Sequence, residues 1–172
     1  MASITTVDYF KKQPVLIDQP AANNGIPSDV YAARTEALQN AIDVYEKQYL
    51  ETLLGVSLAA EFTAGIADSK WATLKGLLWD STNKVSLVAH YIYFYYLSDY
   101  SARYDGQLFK QAKVENTINI SVVPKQVYVW YEMKKKQVAV MDYLTATTVV
   151  STAALDKTKW DELKINYNTA GL

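Results

Sequence analysis

The stretch Tyr45-Glu46-Lys47-Gln48-Tyr49-Leu50-Glu51-Thr52-Leu53-Leu54-Gly55 decides how this chain folds. Leu38, Ile42, Tyr45, Tyr49 and Leu53 recur at spacings of four, three, four and four, which places them on one face of a helix. Gly55 stands just past the last of these turns and supplies the positive φ that closes many helices. Upstream, Ser28 fits the N-cap of the same helix and Asp29 its positive end, so the helix is expected to run from Ser28 to Leu54.

Downstream, Ser57 is expected to cap a second helix through Ala64, broken by Gly65 and Asp68-Ser69. A third, Lys70 to Trp79, carries Trp71, Leu74 and Leu78 on one side, and Asp80, Ser81 and Asn83 break it. From Lys84 to Tyr104 two apolar stripes (Val85, Val88, Ile92, Tyr95 and Leu87, Tyr91, Phe94) wrap most of a helix, which makes it the expected central, buried one. Pro124 fits the first position of a further helix reaching Leu144, with Val127, Tyr131, Val138 and Met141 on one face. The pattern predicts an all-α protein: a small helical bundle of about four to six helices, with an extended N-terminal segment and one long loop or β-hairpin arm. Residues 1–144 form the expected helical domain. Within it, residues 1–27 are punctuated by Pro14, Pro20, Asn23-Asn24-Gly25 and Pro27, and Thr6 can cap a short turn over Val7 to Phe10. Residues 145–172 read as a tail with a weak helix around Lys157 to Tyr167, anchored by Trp160 and Leu163.

The arm lies at 105–123. Ile118, Ile120 and Val122 alternate with Thr117, Asn119 and Ser121, a strand period that needs a partner. That partner is either a second extended segment near Gln111 to Glu115 or the sheet edge of a neighbouring chain. Together with Tyr104, Leu108 and Phe109, these residues are the first candidates for contact with a partner, joined by Tyr96 and Tyr100 from the end of the central helix. A hairpin folded back on its own domain is the competing reading.

Composition narrows the chemistry. At 172 residues the chain is long enough for one domain that buries about 70% of its unfolded surface without staples. A formal net charge of −1 gives no bulk attraction for nucleic acid. The absence of cysteine removes disulfides, thiolate catalysis and sulfur-ligated zinc. Residues 1–8 lack the pattern of a secretory signal, and Val85 to Leu97 is too short to span a bilayer. Fourteen tyrosines and four tryptophans stand against a single histidine. Tyrosine suits surfaces that are wet before assembly and dry afterwards, and it equally fills a core.

Each reactive group has a plain structural role. His90 sits in the apolar helix without a nucleophile motif around it, and packing is its expected role. Glu36, Asp43, Glu46 and Glu51 are expected on the solvated face of the first helix. Lys134, Lys135 and Lys136 point about 100° apart, so one can cover apolar surface while the others face solvent or, as a weaker reading, a channel or phosphate. The six glycines form no phosphate-binding loop. No catalytic residue, metal or cofactor is expected.

The order of these features resembles the small helical head–tail connector (adaptor, or neck ring) proteins of tailed bacteriophages, above all those of Bacteroides-type phages. Four stretches carry the likeness over residues 4–144: Ile4-Thr5-Thr6-Val7-Asp8-Tyr9-Phe10-Lys11-Lys12; the Tyr45–Gly55 segment with Leu58 and Phe62; the tryptophan-bearing helix Trp71 to Leu78; and the aromatic helix His90 to Tyr96 with the loop after it. The resemblance implies a virion structural protein made in the host bacterial cytoplasm. Its homo-oligomeric ring, commonly dodecameric, joins the portal to tail or other neck proteins and surrounds a channel through which DNA passes without specific binding. The resemblance brings no catalytic residues. Two other classes remain open from the residues alone: a cellular helical adaptor for a single protein partner, and an enzyme using His90 with acidic residues.

Overall fold

The computed structural model describes residues 3–17, 28–103, 110–111, 118–119, 122–148 and 155–167. Helix α1 spans Ser28–Leu54, the span that its apolar spacing predicts. Leu38, Ile42, Tyr49 and Leu53 from that stripe are buried, while Tyr45 lies at its margin and stacks on Tyr95 with ring centroids 4.9 Å apart. The described elements form a small helical bundle, as the pattern requires. In it, α4 (Leu87–Arg103) lies between α1 and α5 (Val123–Ala146) and touches both. Val88, Ile92 and Phe94 are among its buried residues, so α4 is the central helix.

Gly55 makes the corner from α1 into α2 (Val56–Ala64). Its N–H donates to the Glu51 carbonyl and its own carbonyl accepts from Ala59, so it ends one helix and begins the next. With φ +81° and ψ 156° it occupies a region open in practice to glycine alone. A Cβ there would also stand 2.7 Å from the Asp156 Cβ. Gly55→Ala is therefore expected to cost about 1–3 kcal/mol, read as a lowered urea midpoint. An unchanged midpoint would show that the corner relaxes freely.

The third helix is shorter than its sequence pattern suggests. A 3-10 turn at Ser69–Trp71 leads into α3 (Ala72–Leu78), and Trp79–Asp80 leaves the helix as strand β1. It pairs antiparallel with β2, Val85–Ser86, through Trp79↔Ser86 and Asp80↔Val85. The Asp80 carboxylate closes the turn by accepting the N–H groups of Thr82 and Asn83 at 3.0 and 2.9 Å. This ladder delays α4, expected from Lys84, until Leu87. Ser86 caps α4 by accepting the Ala89 N–H at 3.1 Å. The hydroxyl of Ser86 also donates to the Leu78 carbonyl, tying the cap to the end of α3.

The register of α5 differs from the expected one. Val129, Trp130, Met133, Val140, Met141 and Leu144 face the core. Of the expected face only Met141 is buried; Val127 is half-buried, and Tyr131 and Val138 are exposed. Both faces carry apolar residues, so periodicity alone did not separate them. Trp130 decides the rotation: its ring meets Phe94 at 4.7 Å and Tyr167 at 4.9 Å.

Both flanking segments pack on the bundle. In the leading segment Thr6 precedes a 3-10 turn at Val7–Phe10 but makes no side-chain cap bond. Tyr9, Phe10 and Val15 are buried in the core. In the tail the weak helix reduces to a 3-10 turn at Glu162–Lys164. Leu155, Trp160 and Leu163 are buried, and the Trp160 Nε1–H donates to the Leu53 carbonyl at 2.8 Å. The Asp156 N–H reaches the Leu54 carbonyl at 3.3 Å. The tail thus supplies donors to carbonyls at the end of α1 that have no partner within the helix, and individual anchors hold it instead of a helical face.

Candidate interaction surface

The segment that joins α4 to α5 contains strands β3 (Lys110–Gln111) and β4 (Ile118–Asn119), paired antiparallel within the chain through Lys110↔Asn119 and Gln111↔Ile118. Ile118 is therefore a strand residue with a partner in its own subunit. Val122 is not part of that strand: it adopts helical dihedrals at the N-cap of α5, because Pro124 sets the first turn. Tyr104, Leu108, Phe109 and Ile120 lie outside the described residues. Tyr100 lies near the end of α4. Tyr96 is 7% exposed, so it belongs to the core and not to the surface expected of it.

Among the described residues most of the aromatic load goes inward. Tyr9, Tyr49, Tyr91, Tyr93 and Tyr96 are buried. Desolvation pushes the Tyr93 hydroxyl up to about 12 and raises Tyr49 and Tyr91 further. Tyr49 donates to Gln137, which fixes α1 against α5. Exposed instead is a row along the outer face of α5, where Tyr128, Tyr131 and Val138 are 52%, 39% and 59% exposed. Spacings of three and seven align them on one face. Lys125 Nζ lies 5.9 Å from the Tyr128 ring and Lys134 Nζ 5.6 Å from the Tyr131 ring, so cations border both faces. Next to the row, Val138, Met141, Trp160 and Leu163 line a largely apolar groove of about 330 Å³ between α5 and the tail. In the sequence Tyr131 and Val138 share a helical face with the apolar Val127 and Met141, so their spacing alone does not mark them as exposed.

The three lysines separate by role. Lys134 donates to the Lys164 carbonyl at 2.8 Å and to the Asn166 side chain, so it fastens the tail and is not offered to a channel. Lys135 pairs with Glu132, one turn back, and holds that carboxyl below its usual range. Lys136 is exposed.

Two groups expected to be unremarkable occupy unusual environments. Glu46 is not on a solvated face: it is 5% exposed, and its two oxygens accept the N–H groups of Ile4 at 2.8 Å and Thr5 at 2.6 Å. Burial raises its pKa, and the bonds from Thr5 and Ile4 only partly offset that. The Thr5 hydroxyl accepts the Trp79 Nε1–H at 2.8 Å, extending the network to β1. His90 is 1% exposed; its Nδ1–H donates to the Ser86 carbonyl at 2.6 Å, and its buried Nε2 has no hydrogen-bond partner among the described residues. Burial pushes its pKa down to about 4, so the ring is neutral.

Among the described residues no group of three or more His, Asp or Glu side chains is placed to hold a metal ion. No described helix is long and apolar enough to cross a membrane. The arrangement can bury aromatic and aliphatic surface against another protein, with cations beside the exposed rings. Compared with protein-family models, curated proteins and solved structures, the chain matches none.

Proposed function

We propose that this chain is a virion structural protein, one subunit of a ring that joins the portal of a phage head to the tail and surrounds the DNA channel. The observation that carries the reading is the exposed Tyr128–Tyr131–Val138 row on α5, which follows the β3–β4 hairpin directly in the chain. A ring needs two different patches on each subunit that meet head to tail. The aromatic row supplies one patch and the 104–123 arm is assigned to the other. The reading is supported further by the connector resemblance of residues 4–144 and by a net charge of −1, which gives the chain no bulk attraction for DNA.

The test is mass photometry of the chain alone and with the portal and tail proteins of its own genome. A ring, or a stable portal complex, is the expected result. Tyr131→Glu should reduce assembly about tenfold or more, since it places a charge in a desolvated contact, while leaving the subunit's urea midpoint nearly unchanged. If no portal or tail component binds under any of these conditions, the assignment is wrong.

A further inference from the structure

Residues 3–17 cross the bundle as a strap held by bonds to four separate parts of it. At α1, Glu46 accepts the Ile4 and Thr5 N–H groups, and Asp43 accepts the Ser3 hydroxyl. At β1, Trp79 donates to Thr5. At α4, the Tyr93 hydroxyl donates to the Leu16 carbonyl at 3.2 Å. At α5, Lys125 donates to the Gln13 side chain at 2.9 Å. Tyr9, Phe10 and Val15 fill the apolar surface beneath. The bundle thus holds a peptide site whose occupant is visible: both the backbone register and the buried side chains are specified.

Ten residues, 18–27, connect the strap to α1. A ten-residue chain can reach roughly 35 Å when extended. A folded chain of this length has a radius of gyration of about 16 Å, so the connector is long enough to lead from one molecule to the next. Its sequence includes Pro20, Asn23-Asn24-Gly25 and Pro27.

We propose that the site covered by residues 3–17 takes the same segment from a second copy of this chain. Exchange keeps each of these bonds and buries the same rings, so cis and trans occupancy differ only in connector strain and in effective concentration. A solitary molecule favours its own strap. Copies held side by side present neighbouring straps at comparable local concentration, and exchange then links each subunit to the next. The proposal does not depend on the ring reading, since a pair of copies can exchange as well.

The absence of native cysteine allows a clean test. One tagged copy carries Ser3→Cys and a differently tagged copy carries Asp43→Cys; the native pair is hydrogen-bonded at 2.5 Å. The two are incubated together at high concentration under native conditions and treated with a short bis-maleimide. A covalent heterodimer that rises with protein concentration is expected. Adding Phe10→Ala to the Ser3→Cys copy weakens its strap against the receiving copy's own intact strap, since Phe10 is buried in the site, and should lower the yield at least about tenfold. A control copy bears its cysteine at Asp142, on α5 away from the strap's contacts. Heterodimer no greater than with this control overturns the proposal. So does a yield that Phe10→Ala leaves unchanged, because the linkage then does not pass through the strap site.

Discussion

Trp130→Ala is expected to lower the stability of the fold by about 3–5 kcal/mol, the range for a fully buried tryptophan. The residue is 1% exposed and packs against Phe94, Tyr91 and Tyr167. Its Nε1–H also donates to the Ile165 carbonyl at 2.8 Å. Truncation therefore opens a cavity between α4 and α5 and removes one of the tail's anchors in the same step. A domain of this size is stable by only about 5–15 kcal/mol, so the loss is a large fraction of the total. Urea unfolding provides the measurement. Trp130→Phe should cost less, because it keeps a ring in the cavity and gives up chiefly the hydrogen bond, about 1 kcal/mol. Tyr128→Ala, on the exposed side of the same helix, should stay within about 0.5 kcal/mol. If Trp130→Ala cost no more than Tyr128→Ala, the register assigned to α5 would be wrong.

Acidification should act through His90. The folded imidazole binds its proton only near pH 4, against an ordinary value of 6.5 in the unfolded chain. Below pH 6.5 the unfolded state therefore holds more protons, and stability falls as pH falls. The contribution is fully present above 6.5 and is lost progressively down to about 4. Between pH 7 and pH 5 the loss from this group amounts to about 2 kcal/mol. Glu46 has the opposite sign, because its folded pKa is raised: its own contribution weakens as pH rises through that raised value. The two are separated by substitution. His90→Met should flatten the stability profile between pH 7 and pH 5, whatever its effect on stability at pH 7. A profile as steep as that of the unsubstituted chain would mean that the ring takes up protons without unfolding.

What sequence and structure each reveal divides along the range of the interactions. The five helices were legible because their signals are local. The stripe from Leu38 to Leu53, Gly55 with its positive φ and Pro124 at the head of α5 act within a turn or two of their own position. The start of α4 was misplaced by three residues because Val85–Ser86 is drawn into a ladder with Trp79–Asp80, a pairing that helical propensity does not encode. Glu46 is expected on a solvated face because acidic side chains normally lie opposite a helix's apolar stripe; its partners lie more than forty positions upstream, at Ile4 and Thr5.

The same distinction governs the candidate surface. That α5 is helical follows from its own residues. Which of its two apolar faces is covered was decided by Phe94 and Tyr167, which Trp130 meets only after α4 and the tail have docked. Thus the sequence by itself determined a helical, cysteine-free bundle and the spans of its main helices, since backbone hydrogen bonding and capping are settled by near neighbours. Only the tertiary structure decided that Tyr9, Tyr49, Tyr91, Tyr93 and Tyr96 lie inside, that Lys134 ties down the tail, and that Tyr128, Tyr131 and Val138 remain exposed. Burial is a property of what packs against a face, and that partner lies far away along the chain.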